Sequence, residues 1–240
     1  MLRDRLTSEP EIASFRANGA LLLGGAGRSF LASPAGQELA AASTTGPGIR
    51  ITAPGRDLLN QICGPEKLAD LASRLAGEAL RPVRILLFDK TASSNWAVTW
   101  HQDRVIPLRK KQVLPGFTRW TTKSGIPHVE PPESLSRRMV SIRLHLDDCG
   151  PANGPLSVIH GSHERGRLSD AEVEAIISHE TPVSYPARAG DILILRTLIV
   201  HASDRAAAPS RRRVLHIDFA PDDLPQGLEW AFDLNGAVPQ

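Results

Sequence analysis

Apolar residues recur along this chain at two spacings, and the change from one to the other divides it. The run from Thr7 to Gly19 has a capping residue, an early proline and a terminal glycine, the asymmetry of a short helix, and Ala20 to Leu23 then reads as a strand. Residues 24–54 are rich in Gly, Ala, Ser and Thr without a strong period, which predicts loop with one short helix near 37–42. Leu68, Leu71 and Leu75 stand at helical spacing within 65–80, and 82–89 follows as a strand. Beyond that point strand patterning dominates. Residues 139–147 alternate, Pro151-Ala152-Asn153-Gly154 supplies a turn, and 155–160 is a further strand. Ser169-Asp170-Ala171-Glu172 is a capping box that opens a surface helix to about Ser178. Residues 191–200 read as one strand buried on both faces, and 211–219 as the last strand, after a turn containing Pro209.

Strands joined by turn signals, with helices concentrated early, predict a mainly β (α+β) jelly roll. The expected organisation is one domain: a helical and loop region over about 1–80, a jelly-roll core over 82–220 and a tail over 221–240. Residues 104–132 are a long stretch with little regular patterning, read as loop. Phe117, Trp120 and His128 argue against disorder there, so a lid or pocket wall is expected.

Composition narrows the class. With 240 residues and 41% hydrophobic content the chain can bury one sizeable core. A formal charge of +2 excludes nucleic-acid binding as the main business. The longest apolar runs are interrupted by Arg196 and fall short of a membrane span. Cys63 and Cys149 cannot form a disulfide framework, and no secretory leader is read ahead of the charged start, so the cytoplasm is the expected compartment. A small-molecule partner and a monomer or homodimer are expected.

The chemistry lies in Trp100-His101-Gln102-Asp103 and in His201-Ala202-Ser203, followed by Arg211-Arg212-Arg213. A His-x-Asp pair with a distant second His is the set that leaves half of an iron(II) coordination sphere open. On a strand, residues i and i+2 point the same way, so His101 and Asp103 can face a barrel interior while Gln102 faces away. A lone His-x-Asp is weak evidence, because the chain has eight histidines. His160 and His163 read as structural residues of a turn, His179 as a helix end and Trp100 as packing.

The surrounding motifs add weight. Over residues 84–220 the chain resembles the phytanoyl-CoA dioxygenase-like (PhyH) family of non-haem iron(II)/2-oxoglutarate-dependent oxygenases. The resemblance rests on Trp-His-Gln-Asp, on Leu146-Asp147-Asp148-Cys149-Gly150-Pro151-Ala152-Asn153-Gly154-Pro155-Leu156, on His160-Gly161-Ser162-His163, and on His201 with its following Arg. One departure is His160, where the family usually has Pro. The resemblance implies a double-stranded β-helix, cupin-like in form, with iron on His101, Asp103 and His201. It implies that Arg212, eleven residues after His201, pairs with the distal carboxylate of 2-oxoglutarate, that Ser203 donates to the same carboxylate, and that Arg143 is a cosubstrate neighbour. Strand parity leaves Arg213 open as a competitor to Arg212, and an ion pair with Asp147 open as a second role for Arg143. Asn95, Trp120, Lys123 and His128 are the candidates for contacting substrate, Asn95 also reading as a turn cap.

The implied activity is an iron(II)-, 2-oxoglutarate- and O2-dependent hydroxylation of an unactivated C–H bond, with succinate and CO2 as coproducts. Asp103 stands where related halogenases carry a small residue, which argues against halogenation. Desaturation, epoxidation or cyclisation follows from the same hydrogen abstraction. Arg104, Arg109, Lys110, Lys111, Arg119 and Lys123 crowd the long stretch, which points to an anionic metabolite such as an amino acid or to a solvated charged face. Two readings from other classes are a non-catalytic metal- or ligand-binding jelly roll and a metal-dependent hydrolase or isomerase on a cupin-like barrel.

Overall fold

The computed structural model describes residues 8–42, 44, 46–64, 66–225, 227–232 and 234. Its N-terminal part runs α1 (Glu9–Asn18), β1 (Ala20–Leu23), α2 (Arg28–Leu31), α3 (Pro34–Ala41), β2 (Gly48–Arg50), α4 (Arg56–Cys63) and α5 (Leu68–Ala76). Then come β3 (Arg81–Lys90), β4 (Val98–His101), β5 (Ile106–Pro107), β6 (Thr118–Lys123), β7 (Ile126–Glu130), α6 (Glu133–Arg138) and β8 (Val140–His145). The chain continues through β9 (Leu156–Val158), α7 (Asp170–His179), β10 (Val183–Tyr185), β11 (Ile192–Arg196), β12 (His201–Ser203) and β13 (Arg212–Ala220).

Local chemistry sets the ends of α1. The Glu11 carboxylate accepts from the Ser8 amide at 2.8 Å, and Gly19 closes the helix at φ 73°. Thr7, where the expected helix began, lies outside the described residues, as do the first residues of the chain and most of the end of the tail.

Two antiparallel sheets form the jelly roll. The larger has strand order β1-β11-β8-β13-β3-β2 and the smaller β10-β9-β12-β4. The larger sheet is covered on both faces, and each of its strands divides accordingly. Ile85 and Leu87 of β3, Ile142 and Leu144 of β8, Ile192 and Ile194 of β11, and Leu215, Ile217 and Phe219 of β13 pack with Phe15, Phe30, Leu58, Ile62, Leu71 and Leu75 from the helices. The alternate residues face the smaller sheet. Leu193 and Leu195 there meet Leu156, Val158 and Ile199, while Arg84, Phe88, Arg143, Arg212 and His216 open on a cavity.

The sequence reading needs four corrections. Residues 24–54 contain α2, α3 and β2 rather than a single short helix, because capping by Ser33 and the close approach of Gly48 to β3 carry no apolar period. α4 buries only Leu58 and Ile62, too few positions to show a period. Residues 191–200 are not one strand. β11 ends at Arg196 and a turn carries the chain into the other sheet, so His201 opens β12. Residues 104–132 form a third sheet, β5-β7-β6, whose Phe117 packs with Leu108, Val129 and Trp230. No helix among the described residues is long and apolar enough to cross a membrane.

Candidate metal centre

The two imidazoles come from neighbouring strands of the smaller sheet. His201 of β12 is in register with His101 of β4, and their ring centroids lie 4.4 Å apart. Each Nδ1 is tied to the carbonyl two residues before it, His101 to Thr99 at 2.7 Å and His201 to Ile199 at 2.9 Å. Donation to a carbonyl puts a proton on Nδ1 and leaves Nε2 as each ring's candidate metal donor. Asp103 lies just past the end of β4, with Oδ1 at 3.8 Å from His101 Nε2 and Oδ2 at 3.6 Å from His201 Nε2. The three donor atoms fall within 4.8 Å of one another.

Gln102, between the two candidate ligands, points the other way and is buried. Its amide donates to Gly166 O at 2.8 Å and Leu198 O at 2.6 Å, and its carbonyl accepts from Leu168 N at 2.9 Å. This residue fastens the ligand-bearing segment to two other chain segments.

Protonation states suit a metal. Burial pushes His201 down to about 3, and Arg143 and His101 add to this against the opposing pull of Asp103, so the ring is neutral at ordinary pH. Burial works against the Asp103 carboxylate, but the guanidinium charges of Arg143 and Arg84 favour its ionised form, and the group stays well below the usual carboxylate range. Two imidazoles and one carboxylate facing a cavity fit an iron(II) ion with open positions. Arg143 Nη2 lies 3.3 Å from Asp103 Oδ2 and 3.1 Å from His201 Nε2. A guanidinium and a metal ion cannot share the His201 lone pair, so metal binding leaves Arg143 with the Asp103 carboxylate as partner.

The other end of the cavity holds Arg212. Its guanidinium donates to Gly154 O, and both Nη atoms are 3.5 Å from Ser203 Oγ. Ser203 Oγ itself donates to Gly154 O at 2.9 Å. Gly154 has φ +60°, and a Cβ there would fall 2.4 Å from Asp204 O. Asn153 exchanges hydrogen bonds with Ser210, at 2.8 and 3.1 Å, and so pins the turn that presents Arg212. The Asn-Gly-Pro-Leu motif therefore supports the Arg212 end of the site. Arg211 and Arg213 point elsewhere: Arg211 pairs with Asp89, and Arg213 makes a fork to Asp147 at 2.6 and 2.8 Å. Asp147 is thus the partner of Arg213 and not of Arg143.

The cavity, about 280 Å³, has His101, Asp103, His201, Arg143, Ser203, Arg212 and Lys123 in its wall. Asn95, Trp120 and His128 are not in that wall. Asn95 bridges to the backbone of Ala206 at 2.8 and 3.0 Å, and Trp120 packs on the cluster around Phe117. His128 is fully buried on β7, with Nδ1 bound to Ile126 O at 2.9 Å. Sequence reasoning missed Arg50, Arg84 and His216 in the wall. The inward parity of 212, 214, 216 and 218 was the signal for His216; Arg50 lies on a strand with no pattern. His160 bonds Tyr185 OH at 2.7 Å and His163 bonds Arg16 O at 3.0 Å, structural roles away from the cavity.

A jelly roll with two histidines and a carboxylate inside one end, facing a half-buried arginine, defines the class of mononuclear non-haem iron oxygenases. Residues 4–214 match the family model for phytanoyl-CoA dioxygenase (PhyH), and the chain belongs to that family of iron(II)- and 2-oxoglutarate-dependent dioxygenases. Solved structures share the fold. EctD from S. alaskensis, crystallised with 2-oxoglutarate and 5-hydroxyectoine, matches with a TM-score of 0.65 and 19% identity over 91% of this chain and 78% of that one. SnoK, a non-heme alpha ketoglutarate dependent carbocyclase from nogalamycin biosynthesis, has a TM-score of 0.63 and 18% identity over 90% and 85%. The epimerase SnoN, in complex with Fe3+, alpha ketoglutarate and nogalamycin RO, has 0.63 and 17% over 97% and 91%. No curated protein matches the sequence.

Proposed function

We propose that His101, Asp103 and His201 hold iron(II), that Arg212 with Ser203 anchors the distal carboxylate of 2-oxoglutarate, and that the enzyme hydroxylates an unactivated C–H bond of a small metabolite. One observation carries the reading: the three donor atoms and Arg212, which unlike Arg211 and Arg213 meets no carboxylate among the described residues, open on the same cavity. Bound iron(II), with 2-oxoglutarate and O2, supplies the oxidising power, and succinate and CO2 leave as coproducts.

The chain's own residues bind, orient and shelter. The Thr99 and Ile199 carbonyls hold the imidazoles in the tautomer that presents Nε2. Asp103 contributes the one carboxylate of the wall. Arg212 presents a planar fork that suits a carboxylate better than a lysine would. Leu86, Phe88, Val98, Leu156, Leu193 and Val214 add apolar wall to the cavity and keep water from the reacting carbon. Cys63 and Cys149 are free thiols, which suits the cytoplasm, where iron(II) stays reduced.

Asp103 supports oxygenation over halogenation. The solved structures that share the fold include a carbocyclase and an epimerase, so ring closure, desaturation or epoxidation after the same hydrogen abstraction is the second reading. The test is anaerobic loading with iron(II) and 2-oxoglutarate, then O2 and pools of small metabolites. Succinate formation stimulated by one pool, with product mass raised by one oxygen, is expected. A product two mass units lighter than substrate favours the second reading, and failure of the protein to bind 2-oxoglutarate refutes both.

A further inference from the structure

The cavity carries more positive charge than the proposed chemistry uses. Its wall contains Arg50, Arg84, Lys123, Arg143 and Arg212 against one carboxylate, Asp103. Iron(II) and the 2-oxoglutarate dianion cancel each other in charge, so loading the site leaves that excess in place. Arg212 faces Ser203 and Gly154 O, Arg143 faces Asp103, and Arg84 is paired with buried Asp218. The Arg50 and Lys123 side chains make no hydrogen bond or ion pair among the described residues, and the Arg50 Nε and Nη1 atoms are buried without a partner.

Strand register places these cations. On the inner face of the larger sheet Arg212 is opposite Lys90, His216 is opposite both Leu86 and Arg143, and Asp218 is opposite Arg84; Arg50 of β2 is opposite Leu86. At roughly 3.4 Å per residue, Arg143, which touches the metal donors, lies about 14 Å along the strands from Arg212, and Arg84 about 7 Å beyond it. Arg84 therefore lies beyond Arg143 as seen from Arg212, Arg50 stands level with Arg143 on the edge strand next to that of Arg84, and Lys123 of β6 lines the same cavity. The groups feel one another: burial and then Arg84 lower the Arg50 guanidinium, and burial followed by Arg84 and Arg50 lowers the Lys123 ammonium. A solvated charged face would not bury two unpartnered guanidinium nitrogens, which cost free energy unless something binds them.

We propose that Arg50, Arg84 and Lys123 form a second oxyanion site, on the β3–β2 side of the cavity and apart from the Arg212 end, that clamps an anionic group of the primary substrate. Asp218 neutralises one of the three charges. The remaining two fit a doubly charged group, a phosphate monoester or a pair of carboxylates. The inference rests on the oxygenase reading and narrows its substrate to metabolites with such a group held one site away from the oxidised carbon.

The test is calorimetric titration of inorganic phosphate and, separately, of malonate into protein saturated with Zn(II) and 2-oxoglutarate. Wild type is expected to bind at least one probe, with Kd raised about tenfold or more in Arg50→Gln and in Lys123→Gln, while 2-oxoglutarate affinity stays within about twofold. Tighter phosphate assigns a phosphate ester and tighter malonate a dicarboxylate. Binding that is absent at millimolar probe, or equal in wild type and both variants, overturns the proposal. Lys123 is exposed on a hairpin, so Lys123→Gln keeps the test decisive if Arg50→Gln melts early. If wild type fails to bind 2-oxoglutarate, the oxygenase reading falls separately, and phosphate titration into the Zn(II)-loaded protein still decides the anion site.

Discussion

Replacing Arg212 with alanine probes the proposed cosubstrate anchor, and the neighbouring arginines supply the controls. The guanidinium presents two nitrogens toward the cavity and is only partly exposed. A charge-assisted fork to a carboxylate in such a place contributes about 1.5–3 kcal/mol. Gly154 O keeps the Ser203 hydroxyl as a donor after the substitution, so no orphaned acceptor adds to the loss. At about 1.4 kcal/mol per tenfold, Kd for 2-oxoglutarate should rise between about 10- and 150-fold. Arg213→Ala removes the fork to Asp147 and the contact with Ala40 O, both on the opposite face of β13. It should lower thermal stability and leave the affinity within about twofold. The assay is anaerobic calorimetry of 2-oxoglutarate into Zn(II)-loaded protein. A shift for Arg213→Ala as large as that for Arg212→Ala would mean that the odd-numbered face of β13 looks inward. No shift for either would remove Arg212 from the cosubstrate site.

Three further outcomes are expected. His101→Ala and His201→Ala should each lose iron(II) on gel filtration, because two remaining donors hold a metal poorly; stoichiometric iron in either variant, measured by elemental analysis, contradicts the ligand set. Gly154→Ala should lower Tm and weaken 2-oxoglutarate binding together, since it forces a Cβ against Asp204 O at a left-handed φ beside the Arg212 partner; an unchanged Tm refutes the packing argument. Burial lowers His128 and His145 to about 4, so the unfolded chain takes up protons near pH 6.5 that the folded one refuses. The stability these groups provide is present above pH 6.5 and declines as pH falls toward 4, by about 3 kcal/mol per group at most. Urea denaturation across that range checks it, and a flat profile would show that neither ring is held neutral.

What the sequence disclosed follows from which signals are local. The capping residues of α1 and α7, the alternation of β8 and the His-x-Asp spacing each need only a few consecutive residues, and all have counterparts in the structure. The break between β11 and β12 does not. Both halves are apolar because the larger sheet is covered on both faces, so nothing in residues 191–200 marks where the chain changes sheets. The same covering made the parity of β13 ambiguous. Its odd residues meet the helices and its even residues meet the cavity, and only the second layer of contacts tells which face carries the chemistry.

The substrate end was hidden for a different reason. The basic residues of 104–123 drew attention because they are close in sequence, yet half of them are spoken for: Arg104 and Arg119 approach Glu130, and Arg109 pairs with Glu229. Lys123 alone of that group reaches the cavity wall, where Arg50 and Arg84 arrive from strands that no local pattern connects to it. Density of charge along a chain measures solubility as readily as recognition. Guanidinium nitrogens that the fold buries without a partner, as it does two of Arg50, are the stronger sign of a ligand, because their desolvation is offset only when an anion arrives.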